Sequence, residues 1–108
     1  MSDFVSVCKL ADLTDSKPRL VRVAGEEIVL VRQGREVFAL SDICSHADVS
    51  LSTGDVTDGA IECWLHGSRF DLRTGQPSGP PAWEPVDTFA VSVTTDAEGH
   101  DTVAVSVR

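Results

Sequence analysis

Cys44-x-His46 and Cys63-x-x-His66 stand 16 residues apart in a chain of 108, and any fold it adopts must bring these two short segments to one point. Thiolate and imidazole are the usual soft and borderline ligands for iron and zinc. The chain has only three Cys and three His, and two of each fall in this stretch. A single Cys or His reads equally well as a core residue. Four of them in two matched pairs, each beside turn-type residues, read as a metal centre carried on loops.

The order within each pair bears on which metal. Structural zinc takes two Cys and two His, with usual spacings C-x2–4-C and H-x3–5-H. Here each pair is mixed, and the first has a single intervening residue. A binuclear iron–sulfur cluster with two Cys on one iron and two His on the other needs each loop to straddle both irons. Mixed pairs meet that need, with a mononuclear zinc site, and hence a zinc-stabilised binding module, as the alternative.

The length fits one domain, residues 1–108. With 42% apolar residues it has enough to build a core. The formal net charge of −8 argues against nucleic acid, whose binding rests on neutralising phosphates with Lys and Arg. It suits docking on a positively charged protein patch. No run approaches the ~18 consecutive apolar residues of a membrane span. Met1-Ser2-Asp3-Phe4 has neither the basic start nor the apolar core of a signal peptide, so a cytoplasmic location is expected. If Cys44 and Cys63 hold metal, Cys8 has no disulfide partner and reads as an inert buried thiol on an early strand.

Helical periodicity is confined to a short stretch, Lys9 to Leu13, before Pro18. Elsewhere short runs rich in Val, Ile, Leu and Phe alternate with turns, predicting strands at 4–8, 20–23, 27–31, 36–40, 61–64, 69–72, 88–93 and 102–107. Ala24-Gly25-Glu26 and Gln33-Gly34-Arg35 supply tight turns, and Asp96 to Asp101 a hairpin loop. In the last two strands Phe89, Val91 and Val93, then Val103, Val105 and Val107, alternate onto one face. The expected fold is all-β, an antiparallel sandwich or barrel framework. Residues 43–83, richer in Gly, Ser, Asp and Pro, form a small inserted subdomain that binds the cluster.

The run Cys44-Ser45-His46 … Leu51-Ser52-Thr53-Gly54 … Cys63-Trp64-Leu65-His66-Gly67-Ser68-Arg69-Phe70-Asp71 resembles the Rieske iron–sulfur family. It is most similar to the soluble Rieske-type ferredoxins of bacterial ring-hydroxylating dioxygenase systems. The resemblance covers nearly the whole chain. It implies one 2Fe-2S cluster per chain, with Cys44, His46, Cys63 and His66 as ligands. Gly67 and Ser68 would offer the cluster a close backbone and a hydroxyl donor, and Gly79-Pro80-Pro81 matches the proline loop that shields it. Trp83 is expected to fill the core, with packing beside that loop as the alternative. Rieske proteins of respiratory complexes carry an extra disulfide-forming cysteine in each loop; Asp48 and Leu65 stand there, which places the chain in the low-potential branch. Trp64 stands where the ferredoxins often have Pro.

The resemblance implies a one-electron carrier between a flavin-dependent reductase and a terminal oxygenase, working as a monomer; service to another partner, such as iron–sulfur assembly, is the alternative. After His46 and His66 are committed, only His100 is left, in an acidic loop, so a second, catalytic iron site has no ligands. His100 is expected to be a surface residue.

Overall fold

The structure, a computed structural model, describes residues 4–42, 50–63, 69–78 and 85–106. The described residues form nine strands: β1 (Phe4–Lys9), β2 (Arg19–Val23), β3 (Glu26–Gln33), β4 (Glu36–Ser41), β5 (Asp55–Thr57), β6 (Ala60–Glu62), β7 (Arg69–Asp71), β8 (Thr88–Thr95) and β9 (Asp101–Ser106). Six make an antiparallel sheet in the order β1-β9-β8-β4-β3-β2. Its edge strands β1 and β2 approach each other, so the sheet is nearly closed. The all-β expectation holds.

The uninterrupted run Ile28-Val29-Leu30-Val31 shows where the molecule is thickest. A strand with one wet face alternates apolar and polar residues, whereas a continuous run is covered on both sides. All four side chains are fully buried. Ile28 and Leu30 join Leu10, Leu13, Val23, Val37, Ala39, Val103 and Val105 inside the six-stranded sheet. Val29 and Val31, pointing the other way, join Leu40 in a second core with Leu51, Ile61, Phe70, Leu72 and Val86.

That second core is where the insertion docks. β4 and β8 are neighbours through Ala39↔Phe89 and Leu40↔Thr88, yet more than forty residues separate them in the chain. The intervening segment builds the three-stranded sheet β5-β6-β7. Its inward row, Val56, Ile61 and Phe70, lies against β3 and β4. At the rim, the Arg73 guanidinium stands 5.1 Å over the Phe38 ring and 2.9 Å from Glu36, clasping the insertion to β4.

Several details differ from the sequence reading. The Lys9–Leu13 stretch makes a single 3-10 turn, Leu10–Asp12, too short for a packed helical face. A second such turn, Leu51–Thr53, and strand β5 fall where composition indicated only loop. β6 ends at Glu62, so Cys63 has already left the sheet. On β8 Phe89 and Val91 are half-buried but Val93 is exposed, because the sheet's far end has no cover there. Val107 lies outside the described residues. Among the described residues no helix is long and apolar enough to cross a membrane.

Candidate metal centre

Of the four expected ligands, the structure places Cys63; Cys44, His46 and His66 lie outside the described residues, as do Asp48, Trp64, Leu65, Gly67, Ser68, Gly79-Pro80-Pro81 and Trp83. The flanks of the three segments concerned, 43–49, 64–68 and 79–84, are described, and they are tied to one another. The Asp42 carbonyl accepts from the Leu51 N–H at 2.6 Å, which closes the first segment at its base. Glu62 pairs with Arg69 across the β6–β7 ladder, which closes the second. The Arg69 carbonyl then accepts from the Ser78 N–H at 2.9 Å, and the Asp87 carbonyl from the Ser41 N–H at 2.8 Å. Those two bonds join the third segment's flanks to the second and the first. All three segments therefore leave from, and return to, one connected rim.

Two glycines make that rim possible. Gly54 has ordinary extended φ, −90°, so conformational freedom is not what it supplies. It supplies space: a Cβ there would overlap the carbonyl oxygen of Glu62. The turn that follows the first segment thus rests directly on the residue before Cys63. Gly75 needs both properties. Its φ is +75°, and a Cβ would run into the Val86 carbonyl, whose own N–H donates to the Gly75 oxygen at 2.9 Å.

Cys63 is fully buried beside Ile61, Leu51 and Phe70, where the chain leaves β6 for the second segment, and its thiol is free of any disulfide. A soft sulfur donor in a dry setting, at a rim shared by three segments, fits a cluster thiolate and is a poor place for an exposed or exchangeable metal.

The chain's remaining histidine and cysteine sit elsewhere. β8 runs from Thr88, beside the rim, to Thr95, roughly 23 Å away at the strand rise per residue. His100 lies in the loop beyond Thr95. It is exposed, with its Nδ1 3.7 Å from both Asp96 and Glu98 carboxylates, in a loop held by two backbone N–H groups donating to Asp96 Oδ1. Cys8 lies opposite Val103, which pairs with Val93, again toward the far end. Half-burial pushes its thiol above the ordinary value, with Arg19 pulling down and Asp12 adding a push. It is a quiet thiol remote from the rim.

The profile of the Rieske [2Fe-2S] domain matches residues 3–90. The chain belongs to the Rieske [2Fe-2S] domain family. It is 42% identical over 83 residues to the anthranilate 1,2-dioxygenase ferredoxin subunit of Burkholderia cepacia, covering 76% of each chain. Its fold is similar to the ferredoxin of carbazole 1,9a-dioxygenase from Nocardioides aromaticivorans IC177, with a TM-score of 0.87 and 36% identity over 99% of this chain and 100% of that one. It is also similar, with a TM-score of 0.84 and 33% identity over 98% of this chain and 94% of the other, to a structure described as a complex of reduced oxygenase and oxidized ferredoxin in carbazole 1,9a-dioxygenase.

A Rieske-type 2Fe-2S cluster is thus the cofactor, in place of the zinc alternative, and this Rieske ferredoxin is an electron-transfer component and not a catalyst. When bound, such a cluster supplies a reversible one-electron couple, with potentials of about −150 to +300 mV across the family. Two residues that shape the rim, Gly54 and Asp42, were not singled out by the sequence. Gly54 stood in a run of turn-forming residues, and Asp42 looked like any polar residue at a strand end.

Proposed function

We propose that this Rieske ferredoxin holds its cluster through Cys44, His46, Cys63 and His66, and passes one electron at a time from a flavin-dependent reductase to a terminal oxygenase. The observation that carries the reading is the connected rim: the flanks of both ligand segments and of the proline segment are hydrogen-bonded together at one end of the fold. Residues 43–83 then act as the cluster-binding subdomain of a single domain, 1–108. The likeness to ferredoxins of dioxygenase systems, one of them in complex with its oxygenase, supports the choice of acceptor. The net charge of −8 suits transient docking on basic patches of two successive partners. A carrier that presents one tip to each partner in turn works as a monomer, and the reducing cytoplasm is its setting.

The test is reoxidation of the chemically reduced protein by a terminal oxygenase of a ring-hydroxylating dioxygenase system, followed at the visible band in a stopped-flow instrument. Rapid single-electron reoxidation, and product formation that stops when the ferredoxin is omitted, are expected. An oxygenase that turns over equally well without it would overturn the reading.

The ligand imidazoles add a pH dependence. Each outer N–H is a titratable group, and a reduced, more negative centre holds that proton more tightly. Reduction at alkaline pH therefore takes up a proton, and the midpoint potential falls as pH rises, approaching about 59 mV per pH unit where one proton accompanies one electron. Voltammetry from pH 6 to 11 measures it. A flat alkaline profile would count against solvent-facing ligand histidines.

A further inference from the structure

We infer that the mouth of the nearly closed sheet, at the end away from the rim, is a binding site for a small organic monocarboxylate received by Arg32 and Lys9. Alternate residues of a strand share a face, so the inward row of β3 runs Ile28, Leu30, Arg32. That row is apolar until the strand's last turn outward, where a half-buried guanidinium takes the inward position. A cavity of about 240 Å3 opens there, lined by Lys9, Leu10, Ala11 and Arg32 together with His100 and Asp101 at the end of the β8–β9 hairpin. Barrel mouths are a preferred place for ligands, and this volume lies below the ~300–1,000 Å3 of sites for drug-sized molecules. The occupant is therefore small.

The donors of Arg32 identify the charge of that occupant. A guanidinium carries five N–H donors and no acceptor. Nε donates to the Gly34 carbonyl at 2.7 Å, and Nη1 to the Leu10 and Leu13 carbonyls at 3.1 and 3.2 Å. The two donors of Nη2 have no partner among the described residues, and neither Arg32 nor Lys9 forms an ion pair there. The chain has 17 acidic residues, yet the one in the cavity wall, Asp101, accepts from the Thr95 hydroxyl instead. Nη2 and the Lys9 ammonium thus offer charge-assisted donors to a carboxylate, and Leu10 and Ala11 offer contact to an apolar body. Asp101, Asp12 on the Lys9 N–H, and Asp96 and Glu98 beside His100 all oppose a second negative charge. A monocarboxylate is favoured over phosphate.

The experiment titrates the 15N-labelled holoprotein with benzoate and follows the amide resonances together with the Arg32 Nε–H. Saturable shifts centred on Ala11, Arg32 and His100 are expected, with a Kd of roughly 1 mM and no change in the visible spectrum. Inorganic phosphate should bind more weakly, and benzyl alcohol, with the same body and no charge, should give no saturable shift. Arg32→Gln is expected to weaken benzoate by about 10-fold or more, as for a lost hydrogen bond to a charged group, and Lys9→Gln by about 2–5-fold. If Arg32→Gln does not fold, because it also frees the Leu10 and Leu13 carbonyls, Ala11→Leu carries the test. Ala11 is exposed on the cavity wall, so the larger side chain fills the space, keeps Tm near that of the wild type and abolishes the benzoate shifts. The site is overturned if benzoate gives no saturable shift, if benzyl alcohol or phosphate binds as tightly, or if the folded variants bind benzoate like the wild type.

Discussion

Gly54→Ala is expected to lose roughly 3 kcal/mol or more of stability, a fall in Tm of roughly 10–20 °C, and to lose much of its cluster as well. The added methyl would occupy the place of the Glu62 carbonyl oxygen, and neither partner can yield by rotating a side chain, since both are backbone. Either the Leu51–Gly54 turn lifts from β6, or β6 moves. The first outcome opens the base of the first ligand segment, because Leu51 and Ser52 are the residues bonded to Asp42. The second displaces Cys63, which follows Glu62 directly. Gly25→Ala is the comparison. Its φ of +84° disfavours a side chain, but nothing lies within 4 Å of the new methyl, so it should cost about 1–2 kcal/mol and leave the cluster in place. Thermal unfolding and visible absorbance on the two variants separate crowding at the rim from ordinary turn strain.

Cys63→Ser is expected to abolish the visible spectrum altogether. A serine hydroxyl at this site replaces a soft thiolate with a hard, weakly acidic donor that binds iron of a cluster poorly. The loss is sharpened by burial. Cys63 is fully enclosed by apolar neighbours, so without iron the hydroxyl is a buried polar group with no partner, costing about 1–3 kcal/mol. Cys8→Ser, at the far end of the sheet, should leave the spectrum unchanged. A Cys63→Ser protein that kept its colour would show the ligand assignment to be wrong.

The framework was largely legible in the sequence because its strands are set by apolar pattern and turn chemistry. Ala24-Gly25 has φ of +51° and +84°, as a two-residue hairpin turn requires, and it sits between Val23 and Glu26, which pair. The doubly buried β3 followed from an unbroken apolar run. β5 escaped because it is three residues long with one apolar side chain, Val56, too few to show alternation. The dipeptide Asp58-Gly59, with φ of +53° and +77°, was the available sign: it is a strong hairpin turn signal and lies between the paired residues Thr57 and Ala60.

The proposed ligand pairs stand out for a different reason, namely that residue type and spacing are what the chemistry of such a site asks for. The rim formed by the flanks of their segments does not. It depends on backbone hydrogen bonds between Ser41 and Asp87, and between Ser78 and Arg69, and on the contact of Gly54 with Glu62. None of these leaves a mark on side-chain identity except the glycine, and a glycine among Ser, Thr and Asp reads first as a turn.

The central claim is that two imidazoles and two thiolates, drawn from mixed pairs, hold one redox-active cluster. The most direct measurement is double-resonance spectroscopy on the reduced protein grown with 15N-labelled histidine. Coupling from two imidazole nitrogens is predicted, retained in His100→Ala and lost with the cluster in Cys63→Ser. A reduced protein with no Rieske resonance signal, or with a signal that carries no histidine coupling, would contradict it.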